Sequence, residues 1–294
     1  MDNRIKFPGW EHIDGSRVSR TEIDAAFRAV MAKARKTERH MRDIRLRRVM
    51  LSVAAAVAAI LLPAISFYIA RQTASAPPAE YLTYTTAKGD IREITLPDQT
   101  KVVLNSESVL IFPETFGSSR TVFLSGEAVF DVTSSEKHPF IVKTSDISIR
   151  VHGTKFNVKA YYNESYISAT LCRGAISAYP NGHEENAVPL LPEQNYRYVK
   201  ETGTVTVTRK VNALEAIAWE SGNICFNSAT IQEVIRTIER RYDINICLTT
   251  TKYNKAIITA SFIHEETAED LIGAICMIVP GLKYTIDGDT IYLR

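Results

Sequence analysis

The stretch "LRRVMLSVAAAVAAILLPAISFYIARQ", residues 46–72, decides how the rest of the chain is organised, because it holds 22 consecutive uncharged positions from Val49 to Ala70. At about 1.5 Å per helical residue the uncharged run reaches roughly 33 Å, enough to cross a hydrocarbon core of about 30 Å. A helix also satisfies its own backbone hydrogen bonds in lipid, where a kink at Pro63 is tolerated. The run therefore predicts a single transmembrane helix over residues 49–70.

Two other interpretations of this apolar run are less favourable. Ala74-Ser75-Ala76 resembles a signal-peptide cleavage site, but the run is too long for the apolar region of a signal peptide and starts 48 residues into the chain. A core helix of a soluble domain normally carries a polar stripe, and this run has none. We therefore expect the run to remain in the membrane.

The charges on either side of the run predict its orientation. Residues 1–48 carry 13 Lys and Arg against seven Asp and Glu, whereas residues 71–294 carry 22 against 26. Eight of the basic residues fall in 33–48, directly before the run. The positive-inside rule then places the N-terminus in the cytoplasm. No aromatic residue interleaves the basic ones, so they indicate contact with anionic lipid and not with nucleic acid.

One amphipathic helix is predicted in the cytoplasmic segment, residues 1–48. Ser19 and Glu22 fit a capping box, and six apolar residues follow at helical spacing. A lone helix of this length is marginal in water, so its apolar stripe must meet a partner, a second copy or the lipid surface. A partner is favoured because the stripe ends before the basic run. The stripe consists of Ile23, Ala26, Phe27, Val30, Met31 and Ala34. The partner-binding residues are predicted to be Ile23, Phe27, Val30 and Met31.

Two extracytoplasmic domains are predicted beyond an extended linker over residues 71–80. Short runs of period two, separated by Gly, Pro, Asn, Asp and Ser, predict a compact all-β domain over 81–210. The pattern then changes, and residues 219–294 predict a small α+β domain built from two βαβ-like halves. The two halves have similar sequence patterns, and Thr230 and Thr267 each fit the N-cap of a helix.

The chain resembles the FecR family of membrane-anchored sigma-factor regulators over about residues 45–294, through five motifs that occur in order. They are "GDIREITLPDQTKVVLNSESVLIFPETF" (89–116), "RTVFLSGEAVFDV" (120–132), "HPFIVKT" (138–144), "VHGTKFNVKAYY" (151–162) and "TLCRGAISA" (170–178). The resemblance implies an anti-sigma factor that spans the bacterial inner membrane once, with its C-terminal bulk in the periplasm.

The same resemblance implies a signalling route. The C-terminal domain is similar to the signalling domain of secretins and transporters. It would receive a signal from the periplasmic domain of an outer-membrane TonB-dependent transporter. The cytoplasmic helix would then hold or release an extracytoplasmic-function sigma factor. No cofactor is implied.

Three features depart from the family's pattern. Gln99 and Glu193 stand where glycines are usual, so the turn at Asp98-Gln99 is expected to adopt a positive φ less easily. The cytoplasmic part is short and offers one convincing helix. An alternative function is therefore a membrane-tethered periplasmic adaptor without sigma-factor control.

The sequence does not indicate a conventional enzyme or a metal site. No pair of its six histidines has metal-ligand spacing on a helix, and no nucleophile elbow or phosphate-binding loop occurs. The four cysteines lie in apolar runs and are expected to be small hydrophobes, although Cys225 and Cys247, in strands predicted to be neighbours, could pair.

One peptide bond, Gly153-Thr154, is a candidate for chemistry. The family resemblance implies self-cleavage there by an N→O acyl shift, in which the Thr154 hydroxyl attacks the preceding carbonyl. His152, the nearest titratable group, would point to the opposite face of an extended strand. The alternative is that Gly153 marks a bulge or a close backbone approach.

Overall fold

The computed structural model describes residues 20–73, 80–263 and 266–294. The chain divides into two compact units, residues 1–77 and 78–294. The predicted N-cap Ser19, most of the predicted linker 71–80 and His264 lie outside the described residues.

The described part of the first unit is one helix, α1, which runs without interruption over Arg20–Thr73. It joins the predicted amphipathic and transmembrane segments, which share a single helix of 54 residues. Its segment Val49–Ile69 has a mean hydropathy of 2.4, and every side chain of that segment is exposed in the isolated chain. The prediction of one apolar helix long enough to span a membrane is confirmed.

The second unit begins with 13 strands that form one curled sheet, as the alternating pattern predicts. The strands are β1 Tyr81–Thr85, β2 Arg92–Thr95, β3 Lys101–Leu104, β4 Val109–Pro113, β5 Arg120–Asp131, β6 Phe140–Lys143, β7 Ile147–Val151, β8 Lys155–Ala160, β9 Tyr166–Arg173, β10 Ile176–Pro180, β11 Val188–Leu190, β12 Gln194–Val199 and β13 Val205–Arg209. The main path of the sheet runs β11-β10-β7-β6-β5-β8-β9-β12-β13.

Strand β5 organises this sheet because it is long enough to pair with four other strands. Its first half pairs with β4 and, in parallel, with β6, and its second half pairs with β3 and β8. The two halves therefore belong to two faces of the curl. Phe130 in the second half stacks on Phe156 with ring centroids 5.3 Å apart, and both are fully buried. The apolar residues of the alternating runs thus close on one another inside the curl.

The remaining elements form the α+β domain. They are α2 Ala213–Ala216, β14 Ile224–Thr230, α3 Ile231–Tyr242, β15 Asn245–Leu248, β16 Ile257–Phe262, α4 Ala268–Ile278, β17 Tyr284–Asp287 and β18 Thr290–Leu293, and a 3-10 turn spans Ala218–Ser221. Strand β14 pairs antiparallel with β16, while β18 pairs in parallel with β15 and antiparallel with β17. Helices α3 and α4 cover a hydrophobic core that is separate from that of the all-β domain.

Both predicted helix caps in this domain are confirmed. Thr230 accepts the backbone N–H of Glu233, whose carboxylate in turn accepts the N–H of Thr230. Thr267 and Asp270 do the same for α4. Each box satisfies two amides that a helix start otherwise leaves unpaired.

The expected adjacency of Cys225 and Cys247 is wrong. Cys225 lies on β14, which pairs with β16, whereas Cys247 lies on β15 in the other sheet. All four cysteines are free, and Cys247 is exposed, so it does not act as the buried hydrophobe that its apolar run suggested.

The turn at Asp98-Gln99 adopts a positive φ although it lacks a glycine. Gln99 adopts φ +67° and Glu193 adopts φ +63°, so both positions keep a left-handed conformation without glycine. In the β2–β3 turn, Leu96 accepts the N–H of Gln99, and Asp98 accepts both the N–H and the hydroxyl of Thr100. These hydrogen bonds hold the turn in a conformation that costs a non-glycine residue about 1–2 kcal/mol.

We predict that Gln99→Gly stabilises the protein by about 0.5–1 kcal/mol, because the lost strain exceeds the added backbone freedom of the unfolded chain. Gln99 is exposed, so the substitution removes no buried contact. Urea denaturation measures the change. Gln99→Ala, which keeps the Cβ, serves as the control and should give no gain; an equal gain in both variants would contradict the strain argument.

Candidate functional site

The α+β domain contacts the all-β domain through a buried charge cluster at Glu164, in the β8–β9 turn. The Glu164 side chain has no exposed area, and it accepts from Arg240 at 2.7 Å and from Arg236 at 3.2 Å. Lys159 on β8 lies 3.6 Å from the same carboxylate. Arg236 and Arg240 lie four residues apart on α3, and therefore on one face of that helix.

A second ion pair lies beside the Glu164 cluster. In this pair the all-β domain supplies the cation and α3 supplies the anion. Glu233 of α3 accepts from Arg197 of β12 at 3.2 Å. Each arginine also stacks on a tyrosine of the all-β domain: Arg240 lies 3.8 Å from the ring centre of Tyr161, and Arg197 lies 3.6 Å from that of Tyr166. Planar guanidinium groups suit this combination of stacking and carboxylate pairing.

These residues are called the clamp below. They are Lys159, Tyr161, Glu164, Tyr166 and Arg197 of the all-β domain and Glu233, Arg236 and Arg240 of α3.

The clamp keeps its acid and its lysine charged. Burial alone would raise the pKa of Glu164, but Lys159 and Arg240 outweigh burial and hold that pKa below its ordinary value. Burial would likewise lower the pKa of Lys159, but Tyr166 and Glu164 outweigh it and raise that pKa. Burial raises the pKa of Tyr161 and of Tyr166, so both phenols stay protonated. The buried carboxylate of Glu164 therefore stays charged because cations lie beside it.

Further polar contacts surround the clamp. The N–H of Gly89 donates to the carbonyl of Arg240 at 2.8 Å, Lys88 lies 3.8 Å from Asp243, and Lys155 lies 3.5 Å from Glu220. Because the two hydrophobic cores remain separate, the joint between the domains depends on hydrogen bonds and charges.

A cleft of about 560 Å³ opens beside the clamp. Its floor is the outer face of β8, β9 and β12, and its wall comes from α2, β14 and α3. On the floor, Asn157 donates to Glu127 at 2.8 Å and Asn195 donates to Thr170 at 2.8 Å. Ligand sites commonly occupy clefts of this size between domains.

The Gly153-Thr154 bond lies in a bend between β7 and β8, so His152 is not on an extended strand as expected. The Thr154 hydroxyl is buried and donates to the carbonyl of Ala175 at 3.0 Å. A Cβ on Gly153 would lie 2.8 Å from the Cα of Ser134. This close backbone approach gives Gly153 a structural reason to be glycine.

Part of the predicted partner-binding surface on α1 is described and exposed. Phe27 and Val30 are each 65% exposed and Met31 is 42% exposed. The side chain of Ile23 lies outside the described residues. The three described side chains therefore form an apolar stripe along one side of the helix.

Sequence patterns did not reveal the clamp or the cleft. Glu164 lies in "YYNESY" (161–166), an acid with tyrosines on both sides, and Arg236 and Arg240 show the i, i+4 spacing of one helix face. Each pattern is visible in the sequence by itself. The contact between Glu164 and the two arginines, however, depends on how α3 docks on the β8–β9 turn.

Two protein-family models match the chain. The model described as FecR protein matches residues 82–177, and the model described as FecR, C-terminal matches residues 223–293. Together they span more than half of the chain. No curated protein sequence matches it.

Two solved structures are similar, both described as crystal structures of a "putative anti-sigma factor" from Parabacteroides distasonis ATCC 8503. The 2.50 Å structure is 28% identical with a TM-score of 0.69, and covers 73% of this chain and 99% of its own. The 1.65 Å structure is 28% identical with a TM-score of 0.68, and covers 72% and 98% respectively.

We predict that Glu164→Gln destabilises the protein by about 3–5 kcal/mol, because it leaves Arg236 and Arg240 facing each other without a buried counter-charge. Glu184→Gln is the matched control. Its carboxylate accepts from Arg150 at the same 2.7 Å, but it is 62% exposed, so we expect a loss of only about 0–1 kcal/mol. Urea denaturation of both variants measures the difference, and equal losses would contradict the role of burial.

We predict that Gly153→Ala destabilises the protein by about 1–3 kcal/mol, because the added methyl collides with the backbone at Ser134. Gly117→Ala is the control, since a Cβ at Gly117 meets nothing within 4 Å. Thermal unfolding measures both. Equal stability of the two variants would remove the packing explanation.

We expect the purified wild-type chain to migrate as one band, because the Thr154 hydroxyl is committed to the Ala175 carbonyl. Self-cleavage would instead give fragments of 153 and 141 residues. Electrophoresis beside Thr154→Ala distinguishes the outcomes: two bands in the wild type and one in the variant would establish cleavage and contradict this expectation.

Proposed function

Because this chain belongs to the FecR family, we propose that it is a single-pass anti-sigma factor that carries a signal across a membrane. Support comes from the match to both FecR models and from the anti-sigma description of the two solved relatives. The observation that carries the proposal is the arrangement of the chain: an apolar stretch of spanning length, Val49–Ile69, lies between the first turns of α1 and a large folded unit.

The proposed location is the bacterial inner membrane. The basic residues before the apolar segment support an N-terminus in the cytoplasm and residues 78–294 in the periplasm. The protein acts by binding and is not an enzyme. It needs no cofactor and does not contact nucleic acid.

The proposed cytoplasmic partner is an extracytoplasmic-function sigma factor. The apolar stripe at Phe27, Val30 and Met31 is the surface that would meet it, because exposed apolar side chains at i, i+3 and i+4 suit a helix that packs against another protein. A partner that covers this stripe would also stabilise a helix that is marginal by itself.

The proposed periplasmic partner is the signalling domain of a TonB-dependent outer-membrane transporter. The α+β domain, which matches the FecR C-terminal model, would receive it. Within the described residues, β17 pairs on one side only, with β18, so its other edge is open to an extended segment, whereas on the outer edge of β15 the N–H of Ile246 already donates to Glu239. The clamp would transmit the binding of this partner from the α+β domain to the all-β domain, because it fixes α3 to the β8–β9 turn.

A membrane-tethered periplasmic adaptor without sigma-factor control remains the second candidate. The described residues before the apolar segment favour it, since they form a single helical stretch that begins at Arg20. The two candidates differ in one property: an adaptor has no specific cytoplasmic partner.

Co-purification tests the proposal. We predict that the tagged full chain, cross-linked in its native cells, retrieves a sigma factor identified by mass spectrometry. Phe27→Asp should reduce the recovered amount at least tenfold, because a charge in the apolar stripe must be desolvated on binding. Ala29→Asp is the control, since this exposed residue lies on the opposite side of the helix and gains the same charge. Recovery of no sigma factor by the wild type, or equal loss in both variants, would contradict the proposal.

A further inference from the structure

The cleft beside the clamp has an unusual lining for a space between two domains. Its charges balance, with three basic residues, Lys159, Arg197 and Lys210, against three glutamates, Glu127, Glu215 and Glu233. Six asparagines and five serine or threonine residues supply most of the remaining lining. The cleft therefore offers hydrogen bonds in both directions without a net charge.

The asparagines of the floor lie in register across neighbouring strands. Asn157 of β8 pairs with Thr170 of β9, which pairs in turn with Asn195 of β12. Neighbouring strands lie about 4.8 Å apart, so these side chains form a row of polar groups at regular spacing. The hydrogen bond from Asn157 to Glu127 sets the orientation of the Asn157 amide.

Two enclosed polar atoms at this site lack a partner among the described residues. Asn157 is only 4% exposed, and its Oδ1 accepts no hydrogen bond. Trp219, which lines the opposite wall, has an indole N–H that is buried without an acceptor. One is an acceptor and the other a donor, and each costs about 1–3 kcal/mol while it stays unpaired.

From this lining we infer that the cleft binds a neutral oligosaccharide. A sugar hydroxyl both donates and accepts, as do the asparagine amides and the serine and threonine hydroxyls of the lining, so one such ligand can pair with several of them. The balanced charges disfavour an anionic or cationic ligand. An extended peptide would need apolar pockets for alternate side chains, whereas the floor presents amides and hydroxyls.

A metal ion is a poorer fit to the same residues. Within the described chain, no three His, Cys, Asp or Glu side chains lie close enough to hold one. A bound saccharide would touch the floor of the all-β domain and the wall of the α+β domain together. It would therefore stabilise the joint by mass action, because it binds only when the domains are in contact.

This inference goes beyond the proposed function and does not depend on it. The test uses the full chain in lipid nanodiscs, fluorescently labelled, on a glycan array that carries neutral, sialylated and sulfated oligosaccharides. We expect the signal to fall on one or more neutral oligosaccharides. Calorimetric titration with the strongest of them should show one site per chain.

Three asparagine variants locate the binding. Asn157→Ala and Asn195→Ala should each weaken the calorimetric affinity at least tenfold, while Asn186→Ala, an exposed position outside the cleft, should leave it unchanged. Circular dichroism shows whether each variant folds. If the variant of the buried Asn157 does not fold, the affinity of Asn195→Ala alone shows whether the oligosaccharide binds in the cleft. Binding to no neutral glycan, preference for acidic glycans, or equal affinity of the cleft variants and the control would overturn the inference. The co-purification of a sigma factor is a separate experiment, so the proposed function can hold or fail whatever the glycan measurements show.

Discussion

The constraint on which this structure depends is that a backbone in lipid must pair its own hydrogen-bonding groups. Helix α1 meets it over Val49–Ile69 except at Pro63, which has no backbone N–H, and the segment contains no charged side chain. Once this segment lies in a bilayer, the chain has two aqueous sides. Under the proposed topology, the exposed stripe at Phe27 and the folded unit 78–294 would meet different partners.

The two folded domains are joined by a different kind of interaction. Their hydrophobic cores do not merge, and the contact rests on ionised groups withdrawn from water around Glu164. Such a joint is costly to assemble, because desolvation opposes the attraction of the charges, but it is specific, because a misplaced helix leaves a buried charge unpaired. An electrostatic joint beside a polar cleft suits a protein that must hold two domains in one arrangement and still respond to what binds between them.

Sequence patterns predicted the parts of the fold that depend on local rules. The apolar segment, the alternating strands and the caps at Thr230 and Thr267 each follow from a pattern within one contiguous stretch of sequence. Local rules did not predict how neighbouring elements join. The amphipathic and the apolar segments were predicted separately, but they form one continuous helix, α1. At Gln99 the surrounding hydrogen bonds override the residue's own preference for negative φ. The union of Glu164 with Arg240, 76 positions apart, depends on domain docking, which no local pattern encodes.

The most direct test of the account is the membrane topology of the full chain. Fusions of green fluorescent protein and of alkaline phosphatase after His40 and after Glu80 report on the two sides of the apolar segment. The account predicts a fluorescent protein and an inactive phosphatase at His40, with the reverse at Glu80. The same reporter active at both positions would place them in one compartment and contradict a single membrane crossing.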